Sequence, residues 1–453
     1  MKYAKLTVIL FLILVLAGCS TKNAGRSPEE ECEPNAGLGC CGTSVCRMDS
    51  CGEAQEPVLD CGDDAFCDAG RCMPLHGRTL GEGCWNRAVA VMPAPEDGFY
   101  LAGNSDCDVA AQVDFKLFRL DAEARPAKEW VFGGGGIDEI SSIHPTHDGG
   151  FIAGGTTSSY SGNPDFWLMR LDENSAIKLQ KTYGGADTEK TSELLEVSDW
   201  GYALAGETGT YGAGGTSVRL MRLNRSGNEV WLANLQSDLN REISFATQTV
   251  EGGYLLAGSE YAYDATEASL WCARLLPDGN LEWQIGLADI YRGSTYFISA
   301  DSEGGWLIAA SFITGGEYAA PSFSLMKLDT EGSIFWETPF DFESCDPAFF
   351  FQCADGGYLA GGGTAEMTAG SHNIWIARLG ESGELIWSYE STGSGDDLAA
   401  DAIELADGSF VIAASSETLG PEGDPVYFLL RLSADGKPLW PNPAKSSDAV
   451  ASE

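Results

Sequence analysis

The chain contains few residues whose type and spacing could support catalysis. A serine hydrolase needs an activated serine with a histidine and an acid, yet the sequence has no Gly-x-Ser-x-Gly and only four histidines. His144 and His147 form an H-x-x-H pair, either a metal pair or two turn residues, since strand positions three apart point to opposite faces. Neither a Walker loop nor an Asp-x-Asp-x-Asp-Gly calcium loop is present. We therefore predict no catalytic activity and no cofactor, with calcium alone left open.

Acidic residues that recur before a strand are the second candidate for chemistry. They are Asp138, Asp187, Asp238, Asp289, Asp346, Asp396 and Asp397. One interpretation is a ring of carboxylates that attracts a cation at one mouth of a channel. The other is hydrogen bonding at turns and strand ends, for which Asp is well suited. The sequence leaves both interpretations open.

A repeat positions these residues. Its core reads Asp-Gly-Gly-aromatic and continues with apolar and small residues, as in 148–155. The aromatic residues follow one another at 51 or 52 residues and are Phe99, Phe151, Tyr202, Tyr254, Trp306, Tyr358 and Phe410. A fixed period of this length marks a repeat architecture.

Two charged positions recur in every copy. An acid stands three residues before the aromatic, and a basic residue lies in an apolar run about twenty residues after it. Because an unpaired buried charge is costly, we predict ion pairs, such as Asp148 with Arg170 and Asp199 with Arg222. The alternative is a solvated turn acid beside an arginine whose charged end reaches water.

Each period holds four predicted strands, named A to D in chain order. In the second copy they are about Glu139–Pro145, Gly150–Gly155, Asp165–Leu171 and Ile177–Tyr183. Four antiparallel strands per repeat, arranged radially, form a β-propeller. The sequence thus predicts an all-β, seven-bladed propeller over 84–441, with an open solenoid as the alternative. Each blade would be one contiguous segment, with no strand exchange to close the ring, and a strand D tryptophan would cover the next blade.

The run Leu328-Asp329-Thr330-Glu331-Gly332-Ser333-Ile334-Phe335-Trp336 resembles the tryptophan-containing repeat of quinoprotein-like propellers. The Asp-Gly-Gly-aromatic start resembles repeats of bacterial surface lipoproteins of unassigned function. Quinoprotein dehydrogenases have eight blades, a bound calcium and a vicinal disulfide, whereas the only adjacent cysteines here, Cys40 and Cys41, precede the repeats. The lipidated scaffold of the outer-membrane barrel-assembly machinery has a similar, eight-bladed shape and works through protein contacts.

The N-terminus has the features of a targeting segment. Two lysines precede an apolar run over 6–16 that is too short to span a bilayer comfortably. It ends in Leu16-Ala17-Gly18-Cys19, which resembles the signal of a bacterial lipoprotein. The likeness implies a signal peptide over 1–18, lipidation of Cys19 and a tether over 19–31, at the outer membrane or cell surface. An ordinary signal peptide is the alternative.

Cysteines dominate residues 32–80. They are Cys32, Cys40, Cys41, Cys46, Cys51, Cys61, Cys67 and Cys72. An even set at this density in an exported chain predicts a small disulfide-rich module, whose pairing the sequence leaves open. Cys84 and Cys107 would lie at the same end of the first blade, so we predict a disulfide between them. Residues 442–453 form a polar tail.

Charge and loop composition indicate the kind of partner. The chain has 67 acidic and 27 basic residues, an excess of negative charge that argues against nucleic acid as a partner. We predict a monomer that contacts the membrane through its lipid anchor. The predicted loops between strands B and C carry Tyr160, Tyr211, Tyr261, Tyr263 and Tyr318. Tyrosine offers a large contact surface at low entropic cost, although these could also be simply solvated loops. We predict a scaffold that binds a protein or saccharide; the alternatives are a lyase or hydrolase with its site in the channel, and a calcium-binding surface protein.

Overall fold

The computed structural model describes residues 37–41, 44–48, 54–60, 65–68, 71–74, 77–81, 84–108, 112–160, 162–186, 188–209, 216–261, 269–286, 295–300, 305–312, 322–329, 333–340, 344–365, 372–393, 395–420 and 424–440. The predicted signal peptide, Cys19, the tether, the polar tail, Cys32, Cys51 and Cys61 lie outside these residues. So do the side chains of Cys40, Cys41, Cys46, Cys67, Cys72 and Cys107. The chain divides into two compact units, Met1–Leu75 and His76–Glu453.

The described residues of the first unit form five short strands. An antiparallel sheet is formed by β1 (Gly37–Cys41), β2 (Ser44–Met48) and β3 (Ala54–Asp60), and β4 (Ala65–Asp68) pairs with β5 (Arg71–Pro74). The β4–β5 register sets Cys67 opposite Cys72. The disulfide framework of this unit stays a prediction.

The second unit begins with β6 (Gly77–Leu80) and continues as seven blades. Blade one holds β7 (Trp85–Pro93), β8 (Phe99–Asp108), β9 (Gln112–Leu120) and β10 (Pro126–Phe132). Blade two holds β11 (Asp138–Pro145), β12 (Phe151–Thr157), β13 (Asp165–Leu171) and β14 (Ile177–Tyr183). Blade three holds β15 (Glu189–Glu196), β16 (Tyr202–Thr208), β17 (Ser217–Leu223) and β18 (Glu229–Leu235).

The remaining blades repeat this arrangement. Blade four holds β19 (Asn240–Gln248), β20 (Tyr254–Tyr261), β21 (Ser269–Leu275) and β22 (Leu281–Gly286). Blade five holds β23 (Thr295–Ala300), β24 (Trp306–Phe312), β25 (Ser322–Leu328) and β26 (Ile334–Phe340). Blade six holds β27 (Ser344–Gln352), β28 (Tyr358–Ala365), β29 (His372–Leu379) and β30 (Leu385–Glu390), and blade seven holds β31 (Asp397–Glu404), β32 (Phe410–Ser416) and β33 (Val426–Leu432).

The sheets confirm the predicted seven-bladed propeller. In every blade the strands pair antiparallel in the order A, B, C, D, and each first strand contacts the first strand of the next blade. The first strand of blade seven also contacts that of blade one, so the first strands form a closed ring around a central axis. Strands B and C are buried along their length, as in β16 and β17, because neighbouring blades cover both faces. In the described residues no helix is long and apolar enough to cross a membrane.

Ring closure differs from the sequence-based prediction. The fourth strand of blade seven is β6, which pairs antiparallel with β33, from Gly77 opposite Leu430 to Leu80 opposite Tyr427. The prediction that each blade is contiguous, without strand exchange, was therefore wrong, as was placing 77–80 in the cysteine-rich module. Pro438 forms a single bridge with Leu432 on the same edge. The strand β6 and the segment at Pro438 therefore both pair with the outer edge of β33, because an exposed strand edge needs partners for its backbone groups.

Adjacent blades are joined by aromatic contacts. The outer tryptophan of one blade meets the repeat aromatic of the next, edge to face or tilted, at ring-centroid distances of 5.5 Å for Trp231 and Tyr254, 5.2 Å for Trp336 and Tyr358, and 6.1 Å for Trp387 and Phe410. Trp440 packs on Phe99 at 5.8 Å and so joins blade seven to blade one. The prediction that strand D tryptophans cover the next blade is confirmed.

The same tryptophans explain a glycine in the turn between strands C and D. Gly279 has φ of 85° and Gly383 has φ of 85°, a backbone conformation that favours glycine. A Cβ on Gly279 would lie 2.6 Å from the Trp231 ring, and one on Gly383 would overlap the Trp336 ring. Any other residue would meet both backbone strain and the neighbouring blade.

Only one of the two cysteines in the predicted disulfide of blade one has a described side chain. Cys84 is disulfide-bonded, and the register that sets Trp85 opposite Asp106 would, one step further, set Cys84 opposite Cys107. The pairing with Cys107 stays a prediction, because the side chain of Cys107 lies outside the described residues. Cys272, Cys345 and Cys353 are free and buried.

Removal of β6 tests the closure. A chain that begins at Gly81 leaves four residues of β33 without ladder partners and exposes the side of Tyr427, whereas a chain that begins at His76 keeps the strand. At about 1 kcal/mol per lost hydrogen bond, and with the lost apolar burial, we expect the free energy of unfolding to fall by roughly 2–4 kcal/mol in the shorter chain only. Urea denaturation measures it. Equal stability of the two chains would show that β6 does not close the ring.

Candidate functional site

The two ends of the propeller have different connections. At the turn face, defined by the A–B and C–D connections, five residues join the strands in every blade that has both, as between Pro145 and Phe151 or Leu171 and Ile177. At the loop face, defined by the B–C and D–A connections, the B–C lengths run from three residues at 109–111 to nine at 313–321. Variation is thus confined to one end.

The repeated charges pair at the turn face. Arg170 bonds Asp148, Arg222 bonds Asp199, Arg378 bonds Asp355 at 2.5 and 2.6 Å, Arg431 bonds Asp407 at 2.9 Å, and Arg274 lies 3.6 Å from Glu251. Arg119 instead donates to the carbonyl of Pro95, and Lys327 to the hydroxyl of Tyr358 at 3.2 Å. The guanidinium of Arg222 also donates to the carbonyls of Tyr202 and Leu223. The five arginine–acid pairs and the Arg119 bond lie within single blades, whereas Lys327 of blade five reaches Tyr358 of blade six.

The predicted loop-face tyrosines are described in part. Tyr160 is 53% exposed and accepts a hydrogen bond from Gln180 at 2.6 Å. The hydroxyl of Tyr261 donates to Glu242 at 2.7 Å, and this bond raises the pKa of Tyr261 to about 12. Tyr211, Tyr263 and Tyr318 lie outside the described residues. Two amphipathic side chains, each hydrogen-bonded on one side, therefore stand at this face.

Two of the predicted strand-start acids are buried and accept hydrogen bonds from neighbouring residues at the strand end. Asp138 is fully buried and accepts bonds from Thr157, from the Gly134 amide at 2.7 Å and from Ser159 at 2.5 Å. Asp397 accepts a bond from Ser416 at 2.5 Å, and burial raises its pKa. Asp238 is exposed, and Asp187 and Asp289 lie outside the described residues. The buried acids Asp138 and Asp397 do not belong to an open carboxylate ring, because strand-end hydrogen bonds use their oxygens.

His372 brings the last two predicted acids together at the loop face. Its Nδ1 lies 3.0 Å from Asp396, whose carboxylate also accepts the His372 amide at 2.8 Å, and its Nε2 lies 3.5 Å from Asp346. Burial raises the pKa of Asp396, but the bonds from His372 outweigh it and the net shift is downward. The group is an accessible, acidic patch between blades six and seven.

A second cluster, which sequence patterns did not reveal, lies on the central axis. Every first strand has a β-bulge at the same place, and the next residue is Ala90, Ser142, Glu193, Phe245, Phe297, Phe349 or Asp401. Asp401 accepts the Val91 amide of the next blade at 2.9 Å, and Ser142 accepts the Leu194 amide at 3.0 Å. One side of the axis is therefore polar, and three phenylalanines occupy the equivalent positions opposite.

His144 completes the axial cluster. Its Nε2 lies 2.7 Å from Oε1 of Glu193, and Asp401 interacts electrostatically with both, although it belongs to blade seven and they to blades two and three. Burial raises the pKa of Asp401 to about 6. Burial lowers the pKa of His144, but Glu193 and Asp401 outweigh it and raise the pKa overall. The arrangement can hold or exchange a proton near neutral pH, as acid–base groups do.

The H-x-x-H pair does not form a joint metal site. His144 bonds Glu193, while His147 bonds Glu196 at 2.7 Å and lies 5.2 Å from the Trp200 ring. Among the described residues no three His, Cys, Asp or Glu side chains are arranged to hold a metal ion. Of the two predicted turn residues, His147 lies in the A–B connection of blade two, whereas His144 belongs to β11.

Comparison with known proteins assigns the chain to no family. No family model matches the chain, and neither does any curated protein. Puromycin hydrolase is similar in structure with a TM-score of 0.47 and 14% identity over 78% of this chain and 55% of that chain. The propeller domain of the Trilobed protease from Pyrococcus furiosus gives 0.45 and 11%, over 80% and 97%, and prolyl oligopeptidase B from Galerina marginata gives 0.45 and 11%, over 79% and 50%. This chain spans about half the length of the two whole enzymes, and identities this low concern the fold alone.

A double-mutant cycle measures the turn-face ion pair. Arg222→Met leaves two carbonyls and Asp199 without their donor, so we expect a loss of about 2–3 kcal/mol in the free energy of unfolding. Asp199 is 71% exposed, so Asp199→Asn should cost about 0.5–1 kcal/mol, with coupling of similar size. The exposed pair Lys437 and Asp435 is the matched control, without measurable coupling. Zero coupling between Arg222 and Asp199 would contradict the pair.

Asp401→Asn tests the axial carboxyl. Because its pKa is about 6 in the folded state against 3.8 ordinarily, the folded protein retains a proton that the unfolded chain releases, and stability from this group falls as pH rises through that window. The asparagine variant should match the original near pH 4 and exceed it at pH 7.5 by on the order of 2 kcal/mol. Urea denaturation at both pH values measures this, with exposed Asp238→Asn as control. A pH-independent difference would refute the assignment.

Proposed function

We propose that this protein is an exported, lipid-anchored propeller that binds a protein or saccharide partner through its loop face. The observation that carries the proposal is the confinement of length variation to that face. A uniform turn face, held by repeated ion pairs, provides a rigid frame. Recognition commonly resides on variable loops that such a frame positions.

The chemistry of the loop face indicates the class of partner. Tyr160 and Tyr261 supply aromatic surface with a hydroxyl already oriented by Gln180 and Glu242. Asp346 and Asp396, on either side of His372, add negative charge at the same end. The chain carries a formal net charge of −40. A partner with a basic contact surface is therefore favoured electrostatically.

Site-specific photocrosslinking tests the binding face. A photoreactive residue at Tyr160 or Tyr261 should give one common adduct in envelope membranes, whereas the same residue at Asn174 or Asp278, in exposed C–D turns, should give none. The combined change of Tyr160 and Tyr261 to Ala should then weaken binding of the purified adduct partner at least tenfold. Adducts from the turn positions alone would contradict the proposal.

The anchor is tested separately, in the same membranes. Cys19→Ser should abolish incorporation of labelled palmitate and release the protein from the membrane fraction, with Ser20→Ala as the unaffected control. Retention of label in the Cys19 variant would refute lipidation at this residue. That result would not affect the proposal for the binding face.

A second candidate is an enzyme with its site in the channel, favoured by the axial cluster alone. His144 and Glu193 form a hydrogen-bonded acid–base pair beside a carboxyl group that titrates near neutral pH. A panel of ester, amide and glycoside substrates would be compared between the original protein and His144→Gln. Turnover that the substitution abolishes would support the enzyme, and identical traces for both would reject it.

A further inference from the structure

We infer that a calcium ion binds between blades two and three, at the buried carboxylates of Asp165 and Glu189. Asp165 is the first residue of β13 and Glu189 the first residue of β15, both at the loop face. Asp165 is 6% exposed, and Glu189 is fully buried. The site is distinct from the predicted acids and from the axial cluster.

The two carboxylates converge on one glycine. A Cβ on Gly184 would overlap Oδ1 of Asp165 and lie 2.8 Å from Oε2 of Glu189. The two oxygens therefore lie side by side against the Gly184 backbone. Like charges at this separation, shielded from water, destabilise each other unless a cation or a shared proton lies between them.

Asp165 supplies an independent indication of a missing ligand. Its Oδ1 is buried and has no hydrogen-bond donor within the described part of the chain. Glu189 is different, because it accepts bonds from Thr208 at 3.0 Å and from the Gly185 amide at 3.1 Å. A buried carboxylate oxygen without a donor requires an explanation, and a bound ion is one of the few available.

Equivalent positions in other blades show how the chain treats the same place. The strand register makes Ser217 and Arg241 the counterparts of Asp165 and Glu189 at the next interface, where Arg241 bonds Glu260 at 3.0 Å. At the interface of blades six and seven the counterparts are Asn373 and Asp397. An arginine replaces one acid at the first of these interfaces, and an amide replaces one at the second. At the interface of blades one and two the counterparts are Asp114 and Asp138, so a pair of acids recurs there against Gly133.

The chemistry of the site selects calcium among cations. Two carboxylates require about two positive charges, and only oxygen ligands are offered. Magnesium retains several water molecules, while calcium accepts carboxylates, backbone carbonyls and irregular geometry. Within the described residues no third acidic or histidine side chain is placed to bind the ion. Backbone oxygens and water would therefore complete the coordination shell of the calcium.

Calorimetric titration of the full, chelator-treated chain tests the inference. We expect Asp165→Asn and Glu189→Gln each to lose one equivalent of bound calcium relative to the original protein, and to lose a calcium-dependent rise in Tm. Asp397→Asn, which changes an equally buried acid opposite an amide, should keep both. Magnesium chloride is the ion control and should produce a smaller rise in Tm.

Folding of the variants can be judged independently. Asparagine already occupies the equivalent position as Asn373, so Asp165→Asn should keep its circular dichroism and be at least as stable as the original protein in chelator. An unchanged calcium stoichiometry in Asp165→Asn would overturn the site. So would absence of a Tm rise in the original protein at millimolar calcium, a result that would assign a shared proton to the pair.

Discussion

The contact between the outer tryptophan of one blade and the second strand of the next is the interaction on which the propeller depends. A single four-stranded sheet cannot bury both of its faces, so each blade is stable only against its neighbours. The tryptophan covers an aromatic ring and the C–D turn together, which requires glycine in that turn, as at Gly383 beneath Trp336. Trp440 on Phe99 makes the same contact across the closure. The ring therefore closes through the same packing that joins its interior blades.

The period of the sequence was sufficient for blade number, strand order and interface contacts, because those features recur at equivalent positions. The second-copy strands agree with the structure to within two residues at each end. Closure by Gly77–Leu80 was not predictable in the same way. A segment of four residues is too short to show a periodic pattern. It forms a strand because it pairs with the open edge of β33, not because of its own sequence.

The axial cluster escaped sequence reasoning for a different reason. His144, Glu193 and Asp401 come from three blades, and His144 and Asp401 are more than half the chain apart, so no local motif unites them. Their convergence depends on a bulge in each first strand, and a bulge changes which residue faces the axis without altering composition. Spacing alone also did not identify which acid starts the first strand of blade three, because Glu189, rather than the nearby Asp187, occupies the position equivalent to Asp138 in the strand register.

Because the backbone repeats from blade to blade, side chains that differ at equivalent positions can be compared directly. At the second-strand partner of the bulge, every blade has Ala or Gly, as with Ala413 opposite Asp401 and Gly361 opposite Phe349, so the frame tolerates carboxylate and phenyl groups alike. The polar half of the axis is a departure that the repeat does not require, and a buried charge has an energetic cost. On the axis, the Val91 amide and His144 offset part of this cost for Asp401 and Glu193.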